Sequence, residues 1–459
     1  MAQKPFSPSA VLEALKATIP EVLSEARQKD ERLRPILLSD VAIVLAGAGF
    51  VDRALQIAGQ LTEKFRPFAL SSIAEKMAEA GLFDRALQVA ESIPDSSSRA
   101  RLRVLFSVAE AMAEAGLFDR ALQVAESIVE EDSRARAIAS VAQAMAKAGD
   151  ERAFAVFERA VQVAQKARDA MTLRFIVEAM AEARLFDHAL QVTQAIADGH
   201  EKVMALLATA MEMAKTGDER APALFDQALQ VARQAKVPPI TLCSLAEGLV
   251  EAGFLDRALQ VAQEITEAHE RFYALCAVAE AMAKAGDERA THLFDCAVQV
   301  AQADDEADPS TALSHAVEVM AKVGFLDRAL QVARKITDER ERYQALLSIA
   351  KELAKAGAEP SAIAVFDQAL QIARTSKEVE DLQQEVAWGM AEVGLFNRAI
   401  QLARETCCPL TLRLIVEEMA RQGELERAFE LAQQIDDTLS RFHALVAIVE
   451  ALRETGMIR

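Results

Sequence analysis

Cys276, His292 and Cys296 lie close together in the sequence, and two thiols with an imidazole could hold a zinc ion or carry thiol chemistry. The other histidines, His188, His200, His269, His315 and His443, are scattered, and no two cysteines form a Cys-x-x-Cys pair. A small buried apolar role is the alternative for each cysteine. The vicinal Cys407-Cys408 could register oxidation, or sit in a loop with no role. No stretch has the spacing of a metalloprotease His-Glu-x-x-His, a phosphate-cradling glycine loop, a dinucleotide-binding loop or a nucleophile elbow. The sequence therefore assigns no catalytic residue, no metal site and no cofactor.

The residues that do recur at fixed spacing are suited to binding. Glu75, Glu110, Glu178, Glu247, Glu280, Glu318, Glu417 and Glu450 each stand six residues before a recurring position, which is glycine in all cases but Arg184. Carboxylates aligned in this way would attract a Lys/Arg-rich segment. A solvated helix face is the plainer alternative. Trp388 takes the same place once and could anchor a partner or pack half-buried. A glutamine row that includes Gln88, Gln123, Gln162, Gln230 and Gln260 is explained by repeat duplication alone. A recurring arginine (Arg53, Arg85, Arg120, Arg257, Arg328, Arg398, Arg427) should cover apolar surface and pair with acids of the next unit. Arg99, Arg101 and Arg103 make the best local spot for phosphate contact.

The elements that carry these rows are helices in pairs. The recurring position runs from Gly49 to Gly456 with gaps of 29 to 38 residues, the signature of a stacked repeat. Leu105, Val108, Ala109 and Met112 precede Gly116 at i, i+3, i+4 and i+7, one apolar face of a helix. The glycine then fits a left-handed helix end. A second helix follows, short after Gly-Leu-Phe-Asp-Arg-Ala and about six residues longer after Gly-Asp-Glu-Arg-Ala. The two versions alternate from Gly116 to Gly394, so the true period is 68 to 71 residues. Met77 to Ile93 and Met112 to Ile128 are identical. Breaks fall at Pro94-Asp95-Ser96, Pro238-Pro239, Asp304 to Pro309 and Cys408-Pro409. Ser9 to Ile19 and Glu21 to Lys29 read as two short helices broken at Pro20.

The long units resemble tetratricopeptide repeats. They carry that family's alanine, aromatic, alanine pattern as Ala153-Phe157-Ala160, Ala221-Phe225-Ala228, Ala290-Phe294-Ala297 and Ala362-Phe366-Ala369. The family's aromatics in the first helix are replaced by Met112, Met145 and Leu353. The short units also resemble pentatricopeptide repeats, as at Ala80 to Leu87 and Ala115 to Leu122. That family reads RNA through small polar residues near the start of the first helix. Here Arg103, Met171, Met204, Ile240 and Tyr273 stand thirteen residues before the glycine position, with no shared chemistry. The resemblance implies helical-hairpin stacking, with first helices lining a concave side.

The reading is an all-α superhelical solenoid of about twelve stacked helix-turn-helix repeats. Residues 1–35 form an N-terminal helical cap, 36–435 the repeat array and 436–459 a C-terminal capping helix. The 459 residues are 52% hydrophobic, enough for a continuous core, with a net charge of −19. Acidity disfavours nucleic acid, whose phosphates need a basic face, and favours a basic protein or peptide. No apolar run reaches the roughly 18 residues of a membrane span. An N-terminus without a long apolar stretch and an odd cysteine count suggest a cytoplasmic, reducing setting. The expected function is a non-catalytic scaffold or adaptor that binds a peptide or partner protein in an acidic groove. Glu75, Glu110, Glu178, Glu247, Glu280, Glu318, Trp388 and Glu417 would be its contacts. Single-stranded RNA binding, and a regulatory or sensor subunit of a larger complex, are the alternatives. The oligomeric state is left open.

Overall fold

First helices end in a left-handed residue. Gly116 has φ 76°; its N–H donates to the Ala113 carbonyl at 3.0 Å, and the Leu117 N–H to that of Met112 at 2.8 Å. These bonds satisfy two of the carbonyls a helix leaves open. Arg184 takes the same conformation without being glycine, at φ 61°, with matching bonds to Ala181 and Met180, both 2.9 Å.

The computed structural model describes residues 6–28, 33–303, 308–376, 379–406 and 408–457. Lys29, Cys407 and most of the break from Asp304 to Pro309 lie outside the described residues. Those described hold 26 α-helices and no strand. α1 (Pro8–Gln28) stands before the repeats. The first three are α2 (Leu33–Gly47) with α3 (Val51–Ala58), α4 (Arg66–Glu79) with α5 (Phe83–Ser92), and α6 (Ser98–Glu114) with α7 (Phe118–Glu126). Next come α8 (Glu131–Lys147) with α9 (Ala153–Ala167), α10 (Ala170–Glu182) with α11 (Phe186–Gln194), and α12 (Gly199–Thr216) with α13 (Ala221–Ala235). They continue as α14 (Pro239–Glu251) with α15 (Leu255–Glu264), α16 (Ala268–Lys284) with α17 (Arg289–Gln302), and α18 (Pro309–Lys322) with α19 (Leu326–Ala333). The last are α20 (Glu339–Lys355) with α21 (Glu359–Thr375), α22 (Val379–Glu392) with α23 (Phe396–Glu405), and α24 (Pro409–Arg421) with α25 (Leu425–Ala432). α26 (Thr438–Glu454) ends the series. The chain is thus an all-α solenoid of stacked helix pairs.

The chain groups into two compact units, 78–323 and 1–77 with 324–459. In 78–323 each first helix packs on the next first helix, from α6 on α8 through to α16 on α18. From α7 to α17 each second helix packs on its own first helix and on the next one, as α7 does on α6 and α8. Second helices of successive repeats make no comparable contact among the described residues. The repeated apolar positions fill the seam: Val108, Ala109 and Met112, like Val278, Ala279 and Met282, are fully buried. Phe157, Phe225, Phe294 and Phe366 are buried with their flanking alanines. Burying each ring adds about 1.5–3 kcal/mol.

In the other unit the first and last helices meet. α1 packs on α26 as a second helix packs on a first, and also on α2. Arg441 of α26 pairs with Glu21 of α1 at 3.0 Å, and the Arg453 guanidinium donates to the Gly47 carbonyl at 3.1 Å. His443 Nε2 lies 3.0 Å from Asp40. The expected break at Pro20 does not occur: α1 is one helix with Pro20 inside it. Pro20 and Lys16, whose carbonyl loses its donor, both lie on the exposed side of the helix, where that loss costs least. Packing of Leu15, Ile19, Val22 and Leu23 holds the helix together across the proline.

Candidate interaction surface

The glutamate row lies on the first helices, on the side away from the buried seam. Glu75, Glu110, Glu178, Glu280, Glu318 and Glu417 are half-buried, and Glu247 is exposed. Most are already engaged. Arg174 meets Glu178 at 2.5 Å and Glu201 at 2.6 Å, and Arg413 meets Glu417 at 3.3 Å. Lys284 pairs with Glu280 at 2.6 Å, and Lys322 with Glu318 at 2.7 Å. The Ser71 hydroxyl donates to Glu75 at 3.2 Å, and the Cys243 thiol lies 3.7 Å from Glu247. Burial pushes Glu110, Glu178 and Glu417 above the usual carboxylate range; the Ser140 hydrogen bond opposes this at Glu110, and arginines oppose it at the other two. The row is a half-shielded band rather than a bare acidic strip.

Trp388 is 39% exposed, and the Lys351 ammonium sits 5.0 Å over its ring. That cation–π contact attaches α22 to α20 and leaves one ring edge in solvent. The row thirteen residues before the glycine position is more apolar than the sequence suggested. Ile36, Phe68 (54%), Met171, Ile240 (56%) and Leu410 all stand there, and all are among the exposed large apolar residues. In 78–323 the middle of the row runs Met171, Met204, Ile240 and Tyr273 across α10, α12, α14 and α16, between Arg103 and Arg136 before it and Thr311 after it, with Met204 and Tyr273 half-exposed. Met, Ile and Tyr share no side-chain chemistry. They share a place, and exposure is what makes them one surface.

Where the recurring arginines form ion pairs between repeats, the partner is in the preceding repeat rather than the next. Arg120 pairs with Asp84, Arg257 with Asp226 at 3.3 Å, and Arg398 with Asp367 at 3.8 Å. Each second helix follows its first, so its arginine points back along the stack. The sequence reading missed a second ladder. In the long repeats the arginine of Gly-Asp-Glu-Arg-Ala bridges to the first-turn aspartate of the short helix before it: Arg152 to Asp119 at 2.8 Å, Arg220 to Asp187 at 2.6 Å, and Arg289 to Asp256 at 2.8 Å. Asp150, Asp218 and Asp287 hold the same arginines from within the turn. The signal was present as an Asp and an Arg three residues after successive glycine positions, Arg184 being one of them. The glutamine row is exposed on the second-helix side.

Among the described residues the thiols form no centre. Cys276 is buried, and burial raises its thiol pKa, as it does that of Cys243 to about 12. Cys296 Sγ lies 3.6 Å from His292 Nδ1 on the same helix. Among the described residues no three metal-ligating side chains come together, and no helix is long and apolar enough to cross a membrane.

No family model matches the sequence, and no curated protein matches it. Solved structures that match include Ton1535 from Thermococcus onnurineus NA1, at 19% identity, 68% of this chain, 97% of that one and a TM-score of 0.30. Another is the pentatricopeptide repeat protein PPR10 from maize, at 16% identity, 98% of this chain, 67% of that one and a TM-score of 0.39. Naa15/Naa10 bound to HypK-THB matches at 13% identity, 98% of this chain, 80% of that one and a TM-score of 0.30. Such loose overlap says nothing of what this chain binds.

Proposed function

We propose that the chain is a non-catalytic binding scaffold whose first-helix face in 78–323 takes a peptide or partner protein. The observation that carries this reading is the apolar row Met171, Met204, Ile240 and Tyr273 beside Glu178, Glu247 and Glu280. Methionine-rich apolar surface adapts to varied partners. A flanking band of carboxylates favours a helix with apolar residues on one side and lysines or arginines on the other. The first helices are the closely packed side of the stack, so we place the groove there. Glu75, Trp388 and Glu417 would extend the same kind of surface in the other unit. Helix stacking sets these side chains before binding, which lowers the ordering cost.

Fluorescence anisotropy with a labelled Leu/Lys amphipathic peptide and with a mixed-sequence single-stranded RNA tests this. The peptide should bind, and Met171→Asp with Ile240→Asp should weaken it about tenfold or more, a loss of roughly 1.4 kcal/mol. Changing Glu110, Glu178, Glu247 and Glu280 to Lys should weaken it too. Unchanged affinity in those variants discards the acidic, apolar face. RNA binding that falls steeply with salt while the peptide stays unbound replaces the reading with a nucleic-acid one.

A further inference from the structure

First helices here come in two lengths, and the longer kind takes a long partner. α8, α16 and α20 have 17 residues and α12 has 18. Their second helices have 15, 14, 17 and 15 residues for α9, α17, α21 and α13. The added turns cover the first helix towards its N-terminus. Fourteen and eleven residues before the glycine position, Ala135 and Ile138, Val203 and Leu206, Phe272 and Leu275, and Tyr343 and Leu346 are all at most 7% exposed. α26 also has 17 residues, and its Phe442 and Leu445 are equally buried. Their cover is α1, a 21-residue helix from the opposite end of the sequence. A helix of this class therefore accepts a covering helix that is not its own continuation.

α6 is the exception. It has 17 residues, but α7 has only 9, and the preceding second helix, α5, has 10. Leu102 and Leu105, at the two places buried elsewhere, stay partly exposed. They floor a groove of about 610 Å³, with Leu87, Val124, Arg101 and Arg120 on its walls. Val129 stands 82% exposed at its edge. Arg101 has counterparts at Arg134, Lys202, Arg271, Arg342 and Arg441, each fifteen residues before its glycine. In the α26–α1 pair, Arg441 meets Glu21 of the covering helix.

We propose that this groove is a docking site for an amphipathic α-helix of a partner protein, which lies on α6 as α1 lies on α26. The occupant carries a stripe of small and branched apolar residues at helical spacing, like Val11, Leu15, Val22 and Ala26 of α1. It also presents a carboxylate to Arg101 in the manner of Glu21. The site is on the second-helix side and does not depend on the first-helix face.

The test uses the full chain and a labelled synthetic peptide of residues 8–28, the helix that covers one of this class from outside its own hairpin. The chain's own α1, held at high effective concentration, occupies α26, so the added peptide reads the open groove. Binding should fall about tenfold or more with Leu102→Asp or with Arg101→Glu, and with the Glu21→Arg peptide. A variant whose α7 is replaced by the α9 sequence fills the groove from within. It should lose the peptide while melting at or above the parent temperature, which separates lost binding from lost folding. Equal binding to the filled variant overturns the proposal. So does an effect of Arg441→Glu in place of Arg101→Glu, which would mean exchange with α1. A dimer in sedimentation that Leu102→Asp abolishes would make the occupant a second copy and overturn the partner assignment.

Discussion

Arg184 is the residue that shows most directly what the recurring glycine is for. A side chain in the left-handed region costs about 1–2 kcal/mol, and Arg184 stands there at φ 61°. Arg184→Gly should raise the unfolding free energy by about 1 kcal/mol after the added freedom of the unfolded chain is counted, read as a higher urea midpoint. A midpoint that stays or falls would show that the arginine's own contacts outweigh the strain. Glu110 works in the opposite sense to a stabilising ion pair. Burial raises its folded pKa, so the charged carboxylate subtracts stability at neutral pH, and that loss is relieved as pH falls through the folded value. Glu110→Gln should therefore stabilise at pH 7 and make no difference below about pH 4; an equal effect at both pH values would mean packing and not charge. The glutamate spacing was legible in the sequence. The half-burial was not, because it depends on what the neighbouring first helix places over each carboxylate.

Helix pairs hold by their apolar seams and are aligned by their ion pairs. Phe225 is enclosed between α12 and the flanking alanines of α13, and Phe225→Ala should cost about 3–5 kcal/mol. Arg220→Ala breaks the bridge to Asp187 but should cost far less, since both partners are mostly exposed and solvent screens the pair. Chemical denaturation of the two variants measures the contrast, and equal losses would contradict it. Arg220 also holds the Asp218 carboxyl down to about 2. A depressed carboxylate adds stability above its unfolded pKa and loses it as pH falls through the folded one. The ladder's contribution should thus fade between about pH 4 and pH 2, a window absent in Asp218→Asn. Element lengths could be read from the alternation of short and long units. The mismatch at α6 was also in the sequence, as a long first helix before a short second one. Its meaning emerged only beside the five covered counterparts.

At the scale of the molecule, the series ends by pairing its last helix with its first. α1 covers Phe442 and Leu445 of α26, so each end masks apolar surface on the other. Deleting residues 1–28 should lower the melting temperature and expose apolar surface to a hydrophobic dye. Adding the 8–28 peptide should restore both; unchanged melting in the deletion would mean that α26 is stable uncovered.

The sequence by itself determined the repeat, its glycine turns, its two helix lengths and the all-α class, because each depends on periodicity within a few turns of chain. It also placed the glutamate, glutamine and arginine rows on their helices. Only the tertiary structure decided that the arginines reach backwards, that mixed residues at one position form an apolar row, and that α1 continues through Pro20 to lie on α26. Those outcomes depend on contacts between segments far apart in sequence, where packing outweighs local preference.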